Sequence, residues 1–201
     1  QNCNVFVTKG PYPQIWPTLE WNTASLESQG MCPDEVQSVI DYAFLEGNDT
    51  GAIIVIRNGY IVIEEYDSGK TENDLATSWS VGKSFASALM GVALEEGLVS
   101  SLDETTGQFF PEWAGTEREN ITIRNLMTLR TGLEADCLGP PNDFDNGGNS
   151  IYFSLDQVAC ALNRELQGPI GEKLYSYSNS DVMLAGEIME ITSGMKLDDY
   201  L

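Results

Sequence analysis

The sequence predicts an α+β fold, on three observations. One β-hairpin is legible around residue 58, a series of helical patterns follows it, and no internal repeat or low-complexity tract interrupts them. The apolar fraction of 42%, with seven Phe, eight Tyr and four Trp, supplies material for a packed core.

Residues 1 to 30 carry Pro11, Pro13, Pro17 and two tryptophans without clear period. They are expected to lie as an irregular extension, so the organisation expected is an extension over 1–32 and one domain over 33–201. Pro33-Asp34-Glu35 opens a helical pattern through Val36, Ile40, Ala43 and Phe44 that stops near Gly47. Ala52 to Ile56 and Tyr60 to Tyr66 are β-branched runs around Arg57-Asn58-Gly59, and Asn-Gly suits the positive φ angles of a type I′ turn.

Residues 80 to 97 read as a long helix with Phe85, Leu89, Val92 and Leu94 among its apolar positions and Gly97 as its stop. Leu102-Asp103-Glu104 reads as a turn and Ile121 to Leu129 as a short helix before Gly132. Gly139 to Ser150 is rich in Gly, Pro, Asn and Asp and reads as a loop. Helices are expected over Ser154 to Leu166 and over Asp181 to Thr192, the latter ended by Ser193-Gly194. A new pattern (Leu197, Tyr200, Leu201) then begins and stops. A helix cut before its cap leaves its core face unpartnered, and a lone hairpin is marginal. The chain is therefore expected to be a fragment, or one piece of a cleaved protein, whose remaining sheet strands lie elsewhere.

Thirty-one acidic against ten basic residues give a formal charge of −21. Such a surface repels phosphate backbones and anionic lipid, which argues against nucleic-acid and membrane partners. No run approaches the 18 or so apolar residues of a transmembrane helix. The opening Gln1-Asn2-Cys3 reads as a mature terminus after signal removal or as an arbitrary boundary. Cys3, Cys32, Cys137 and Cys160 form no C-x-x-C pair. Two disulfides in an oxidising compartment are expected, with Cys3–Cys32 and Cys137–Cys160 favoured among the three pairings because each encloses one irregular segment. Asn48-Asp49-Thr50 and Asn120-Ile121-Thr122 are N-glycosylation sequons, by design or by chance. A secreted, periplasmic or extracellular location is expected.

The chain contains no histidine. A Ser-His-Asp or Cys-His hydrolase needs imidazole to take the nucleophile's proton. Unless an imidazole lies in a missing piece, the base must be Lys, Tyr, Asp or Glu. Trp79-Ser80-Val81-Gly82-Lys83-Ser84-Phe85 offers a solution. With Ser80 in the first turn of the helix, Lys83 lies one turn on, on the same face. The hydroxyl then sits near the positive end of the helix dipole, and a lysine enclosed by apolar neighbours can accept its proton as the neutral amine. S-x-x-K alone is weak, since an N-capping serine and a surface lysine give the same spacing. Downstream, Tyr177-Ser178-Asn179 precedes the helix at Asp181. Its phenol can relay a proton and its amide can bind a substrate carbonyl, although a turn with an N-capping Asn reads the same way.

Together with Gly91-Val92-Ala93-Leu94-Glu95-Glu96-Gly97-Leu98, Ser101-Leu102-Asp103-Glu104, Ile121-Thr122-Ile123-Arg124-Asn125-Leu126-Met127-Thr128, Thr131-Gly132-Leu133 and Leu184-Ala185-Gly186, these segments resemble the serine β-lactamase-like, penicillin-binding-protein-like family. That family includes class C β-lactamases, DD-peptidases, family VIII esterases and 6-aminohexanoate-dimer hydrolases. The resemblance spans about residues 50 to 201. It implies a β-lactamase/transpeptidase-like α+β fold, with a helical region packed on a mixed antiparallel sheet and C-terminal strands beyond Leu201. It also implies an acyl-serine hydrolase of small-molecule amides or esters that needs no cofactor or metal. Ser80 would be the nucleophile, Lys83 the base, Tyr177 a second proton shuttle and Asn179 a substrate contact. The Ser80 backbone N–H would be half of an oxyanion hole, the other half lying with the C-terminal remainder of the protein.

Departures refine the resemblance. The family's third motif, a Lys-Thr-Gly or His-x-Gly strand, is absent. Ala159 stands where an E-x-x-L-N motif ending in Leu162-Asn163 would need Glu, and the second motif is Tyr-Ser-Asn, which together point away from class A β-lactamases. Trp79 and Ser84-Phe85 lean towards the 6-aminohexanoate-dimer hydrolase and esterase branch. A D,D-peptidase or β-lactamase, or a secreted binding module with a vestigial site, are the alternatives. Residues 142–149 alternate oxygen side chains as calcium loops do, but lack the closing Glu, so no metal site is assigned to them.

Overall fold

The computed structural model describes residues 15–135, 137, 151, 154–172 and 175–200. The chain divides between Thr77 and Ser78 into two compact units.

The first unit holds a three-stranded sheet in the order β1-β3-β2, with β1 at Asn22–Thr23, β2 at Ala52–Arg57 and β3 at Tyr60–Tyr66. The hairpin is antiparallel, from Ala52 opposite Tyr66 to Arg57 opposite Tyr60, with an irregularity between Val55 and Ile56. Asn58 and Gly59 have φ of +54° and +83°, the two left-handed residues that a type I′ turn needs. Gly59 has a second reason to be glycine, since a Cβ there would lie 2.1 Å from the Ile15 carbonyl oxygen. The segment expected to be irregular contributes β1, which pairs parallel to β3 through Asn22–Tyr60 and Thr23–Ile61. Helix α1, Pro33–Ala43, starts on a proline at its N-terminus with Asp34 and Glu35 in its first turn, where their charge complements the dipole.

The second unit is helical around a core of Met90, Ala93, Val99, Phe110, Trp113, Ile121, Ile123, Leu126, Leu184, Ile188 and Met189. Helix α2, Gly82–Glu95, is entered through a 3-10 turn at Trp79–Val81. It ends in a Schellman cap. Gly97 takes φ +74° while Leu98 N–H bonds Ala93 O at 2.9 Å and Gly97 N–H bonds Leu94 O at 3.2 Å. The Ser101-to-Glu104 segment then turns around one carboxylate, whose Oε1 accepts from the Ser100 N–H, the Ser100 hydroxyl and the Ser101 N–H while Oε2 accepts from Gln108. Helix α3, Ile123–Met127, opens on a capping box between Thr122 and Asn125. It is shorter than the Ile121-to-Leu129 span expected, because Thr122 caps it and Leu129 at φ +55° breaks its other end.

Helix α4 occupies Gln157–Leu162, not Ser154 to Leu166. The Asp156 carboxylate accepts the Ala159 N–H at 2.9 Å and sets the start, while beyond Asn163 the chain straightens so that Leu166 bridges Leu133. Gly132 lies against that straightened segment. Its φ is +77° and a Cβ would fall 2.5 Å from the Gly168 carbonyl oxygen, so no side chain fits. Helix α5, Asn179–Ser193, begins two residues earlier than expected on the Ser178 cap and stops at Gly194, φ +70°. Helix α6, Leu197–Tyr200, follows.

The Cys137–Cys160 disulfide is formed, with its Cα atoms 5.6 Å apart. Cys3 and the 142–149 loop lie outside the described residues, and so does the Cys3–Cys32 pairing. Asn48 and Asn120 are both exposed. Among the described residues no helix is long and apolar enough to cross a membrane, and no group of three or more Cys, Asp or Glu could hold a metal ion.

Glu104 is expected to make this turn sensitive to acid. The Ser100 hydroxyl bond, helped by the Ser100 and Ser101 N–H groups and Gln108 and opposed by burial, holds its carboxyl below the ordinary glutamate range. A depressed native value means that the stabilisation is complete above the unfolded value, about 4.3, and is lost as pH falls through the native one. The gap in thermal midpoint between the wild type and Glu104→Gln is therefore expected to narrow below about pH 4, in melts followed by circular dichroism.

Candidate active site

Trp79 has φ +45°, a conformation costly for a bulky residue, and it bends the chain into the 3-10 turn that carries Ser80 to the mouth of α2. Lys83 follows in the first turn of α2, and its Nζ lies 3.2 Å from Ser80 Oγ. The three-residue spacing thus brings hydroxyl and amine onto one face. From the other side, Tyr177 OH shares a 2.6 Å hydrogen bond with Ser80 Oγ. Asn179, the first residue of α5, accepts from Lys83 Nζ on its Oδ1 at 2.7 Å. The amine also stands 5.0 Å from the centre of the Tyr177 ring, within cation–π range. All four residues singled out in the sequence meet at one point, although Ser80 and Lys83 are nearly a hundred positions from Tyr177 and Asn179.

Two expectations change in detail. Lys83 is half-buried and its amine faces two oxygens and an aromatic face, where enclosure by apolar neighbours was expected. The residue that caps α5 is Ser178, with Asn179 already helical and its carbonyl turned to Lys83. Ser80 and Tyr177 are exposed, so a substrate can reach the hydroxyl.

Behind the site lies a charged cluster that pattern reading missed. Arg164 and Asp181 are each 1% exposed and pair at 2.8 Å. The guanidinium also donates to Ala161 O, Glu134 O and Ser178 Oγ, and Thr131 Oγ1 donates to Asp181. Position in a helix pattern could not reveal this, because a lone Arg near the end of the expected helix reads as surface. A weak signal existed in Thr131-Gly132, a motif with no chemistry of its own. Beside Lys83 and Asn179 opens a cavity of approximately 710 Å³, walled in part by Trp79, Asp156, Glu187 and Lys196, a size suited to a small molecule.

Known proteins resemble this chain in sequence and in fold. The β-lactamase family model matches residues 43–201. The chain is 22% identical over 166 residues to a 6-aminohexanoate-dimer hydrolase of Paenarthrobacter ureafaciens, covering 78% of this chain and 42% of that protein. It is 29% identical over 158 residues to a β-lactamase of Pseudomonas fluorescens, covering 75% of this chain and 41% of that protein. The crystal structure of a class C β-lactamase from Rhodobacter sphaeroides superposes with a TM-score of 0.57 at 22% identity, over 83% of this chain and 45% of that one. The β-lactamase/transpeptidase-like fold expected from the motifs is therefore borne out, and the chain spans less than half the length of these relatives.

Proposed function

The chain belongs to the β-lactamase family, and on that premise we propose that it carries the nucleophile and proton-transfer groups of a serine hydrolase of amide or ester bonds. The observation that supports this most is the position of Ser80 Oγ, within hydrogen-bond reach of both Lys83 Nζ and Tyr177 OH.

In the reaction proposed, the Lys83 amine removes the Ser80 proton as Oγ bonds to the substrate carbonyl carbon, and the carbonyl oxygen takes the negative charge. Ser80 precedes α2, so the positive end of that helix favours the charge, and in this reading the Ser80 N–H donates to it. As the tetrahedral centre collapses, the bond to the leaving group breaks and Tyr177 relays the proton taken by Lys83 to the departing nitrogen or oxygen. Water then attacks the acyl carbon, its proton passes back through Tyr177 and Lys83 to Ser80 Oγ as the acyl–Oγ bond breaks, and the carboxylic acid leaves. Asn179 keeps the amine aimed at Ser80 and its amide also contacts substrate. Tyr177→Phe is expected to slow acylation by about 10²-fold while Ser80 still reacts.

The Paenarthrobacter relative is named for hydrolysis of an amide dimer and the Pseudomonas relative as a β-lactamase, so both leaving groups stand as readings of one acylation step. An activated ester and a chromogenic cephalosporin separate them. A stoichiometric burst with the ester and no turnover of the cephalosporin supports the amidase or esterase reading, turnover of the cephalosporin supports the β-lactamase reading, and acylation by neither removes the proposal. The Cys137–Cys160 disulfide and the exposed sequons support export to an oxidising compartment.

A further inference from the structure

The segment that carries Tyr177 and Asn179 has an unusual internal contrast. Tyr177 is exposed and Asn179 half-buried, yet Ser178 between them is 1% exposed. Its Oγ accepts from Arg164 Nη1 at 3.0 Å and from the Asp181 N–H at 3.0 Å. Arg164 is itself anchored on three sides, by Nε on Ala161 O at 2.9 Å, Nη1 on Glu134 O at 2.9 Å and Nη2 on Asp181 Oδ1 at 2.8 Å. Its planar fork therefore joins the end of α4, the segment after Gly132 and the first turn of α5. The Cys137–Cys160 disulfide ties the first two of these together independently.

A buried ion pair is a poor source of net stability compared with apolar residues of the same volume, whereas a multiply bonded guanidinium fixes relative orientation. Here the orientation concerned is that of a residue flanked on either side by a group that reaches Ser80 or Lys83. We propose that Arg164 is a positioning residue: through Ser178 it holds Tyr177 and Asn179 opposite Ser80 and Lys83. The inference rests on the reading of Ser80, Lys83 and Tyr177 as a hydrolytic site. A displacement of 1 Å at reacting atoms costs about 10²-fold in rate, so even a small loosening has a measurable effect.

The test uses Arg164→Lys, which keeps the charge beside Asp181 but loses the fork, and Ser178→Ala, which keeps the ion pair but removes both its tie to the segment and the cap of α5. Each is made alone and with Tyr177→Phe. The rate of Ser80 labelling by a fluorophosphonate and amide hydrogen exchange over residues 176–181 are read together. Positioning gives faster exchange there, a loss of labelling rate of about 10- to 100-fold in each single variant, and a clearly smaller further loss in the Tyr177→Phe background, where only Asn179 is left to displace. If Arg164→Lys does not fold, the Arg164→Met/Asp181→Leu double variant decides, since it leaves no uncompensated charge and keeps the Ser178 cap. Unchanged exchange in folded variants overturns the proposal, as does a loss that multiplies with that of Tyr177→Phe, which is what a purely structural role gives. Labelling indifferent to Ser80→Ala and Tyr177→Phe sinks the hydrolase reading instead, and the exchange measurement still decides whether Arg164 holds the segment.

Discussion

Lys83→Met is expected to lower the rate of Ser80 acylation by on the order of 10³-fold or more. In the reaction proposed the amine, 3.2 Å from Ser80 Oγ, takes its proton, and Asn179 bonds the same amine. Methionine keeps the length of the stem, and the site is half-buried, so stability is expected to change by no more than ~1 kcal/mol. The comparison that matters is with Tyr177→Phe. If the amine is the base, the lysine variant loses more than the phenylalanine variant. If the phenol, 2.6 Å from the same oxygen, is the base, the order reverses. Stopped-flow acylation of both variants by one activated ester separates the roles.

Arg164→Met has the largest expected effect on folding, a loss of about 3–5 kcal/mol. The substitution leaves Asp181 charged and 1% exposed with Thr131 among its few remaining donors. It also strips a hydrogen bond from the Ala161 and Glu134 carbonyls and from Ser178. Asp181→Leu is expected to cost a similar amount, for the opposite charge. The double variant Arg164→Met/Asp181→Leu is expected to lose clearly less than the sum, because no uncompensated charge remains. Urea unfolding of the four proteins measures this coupling, and strict additivity would show that the two charges do not depend on each other.

Where the sequence was legible, a local rule coincided with the global fold. Asn58-Gly59 identified the hairpin because both residues tolerate positive φ, and Gly97 and Gly194 marked helix ends for the same reason. Ser80 and Lys83 were legible because helix spacing brings residues three apart together, and Tyr177 and Asn179 because they flank a helix start. What escaped depended on tertiary context. A two-residue strand at Asn22–Thr23 is too short to show a period. The left-handed Trp79 follows no propensity and owes its conformation to the turn it makes. Asp156 caps the fourth helix and so delays its start to Gln157, past the Ser154 that its pattern had indicated. Arg164 and Asp181 escaped most completely, since charged side chains read as surface unless a partner is known.

The central claim is that Ser80 is an activated nucleophile, and it is tested most directly by treating the purified protein with a fluorophosphonate and mapping the adduct by mass spectrometry. The result expected is one adduct on Ser80 that forms rapidly in the wild type and is lost when Lys83→Ala is introduced. An unmodified Ser80, or an adduct that forms equally fast without Lys83, would contradict it.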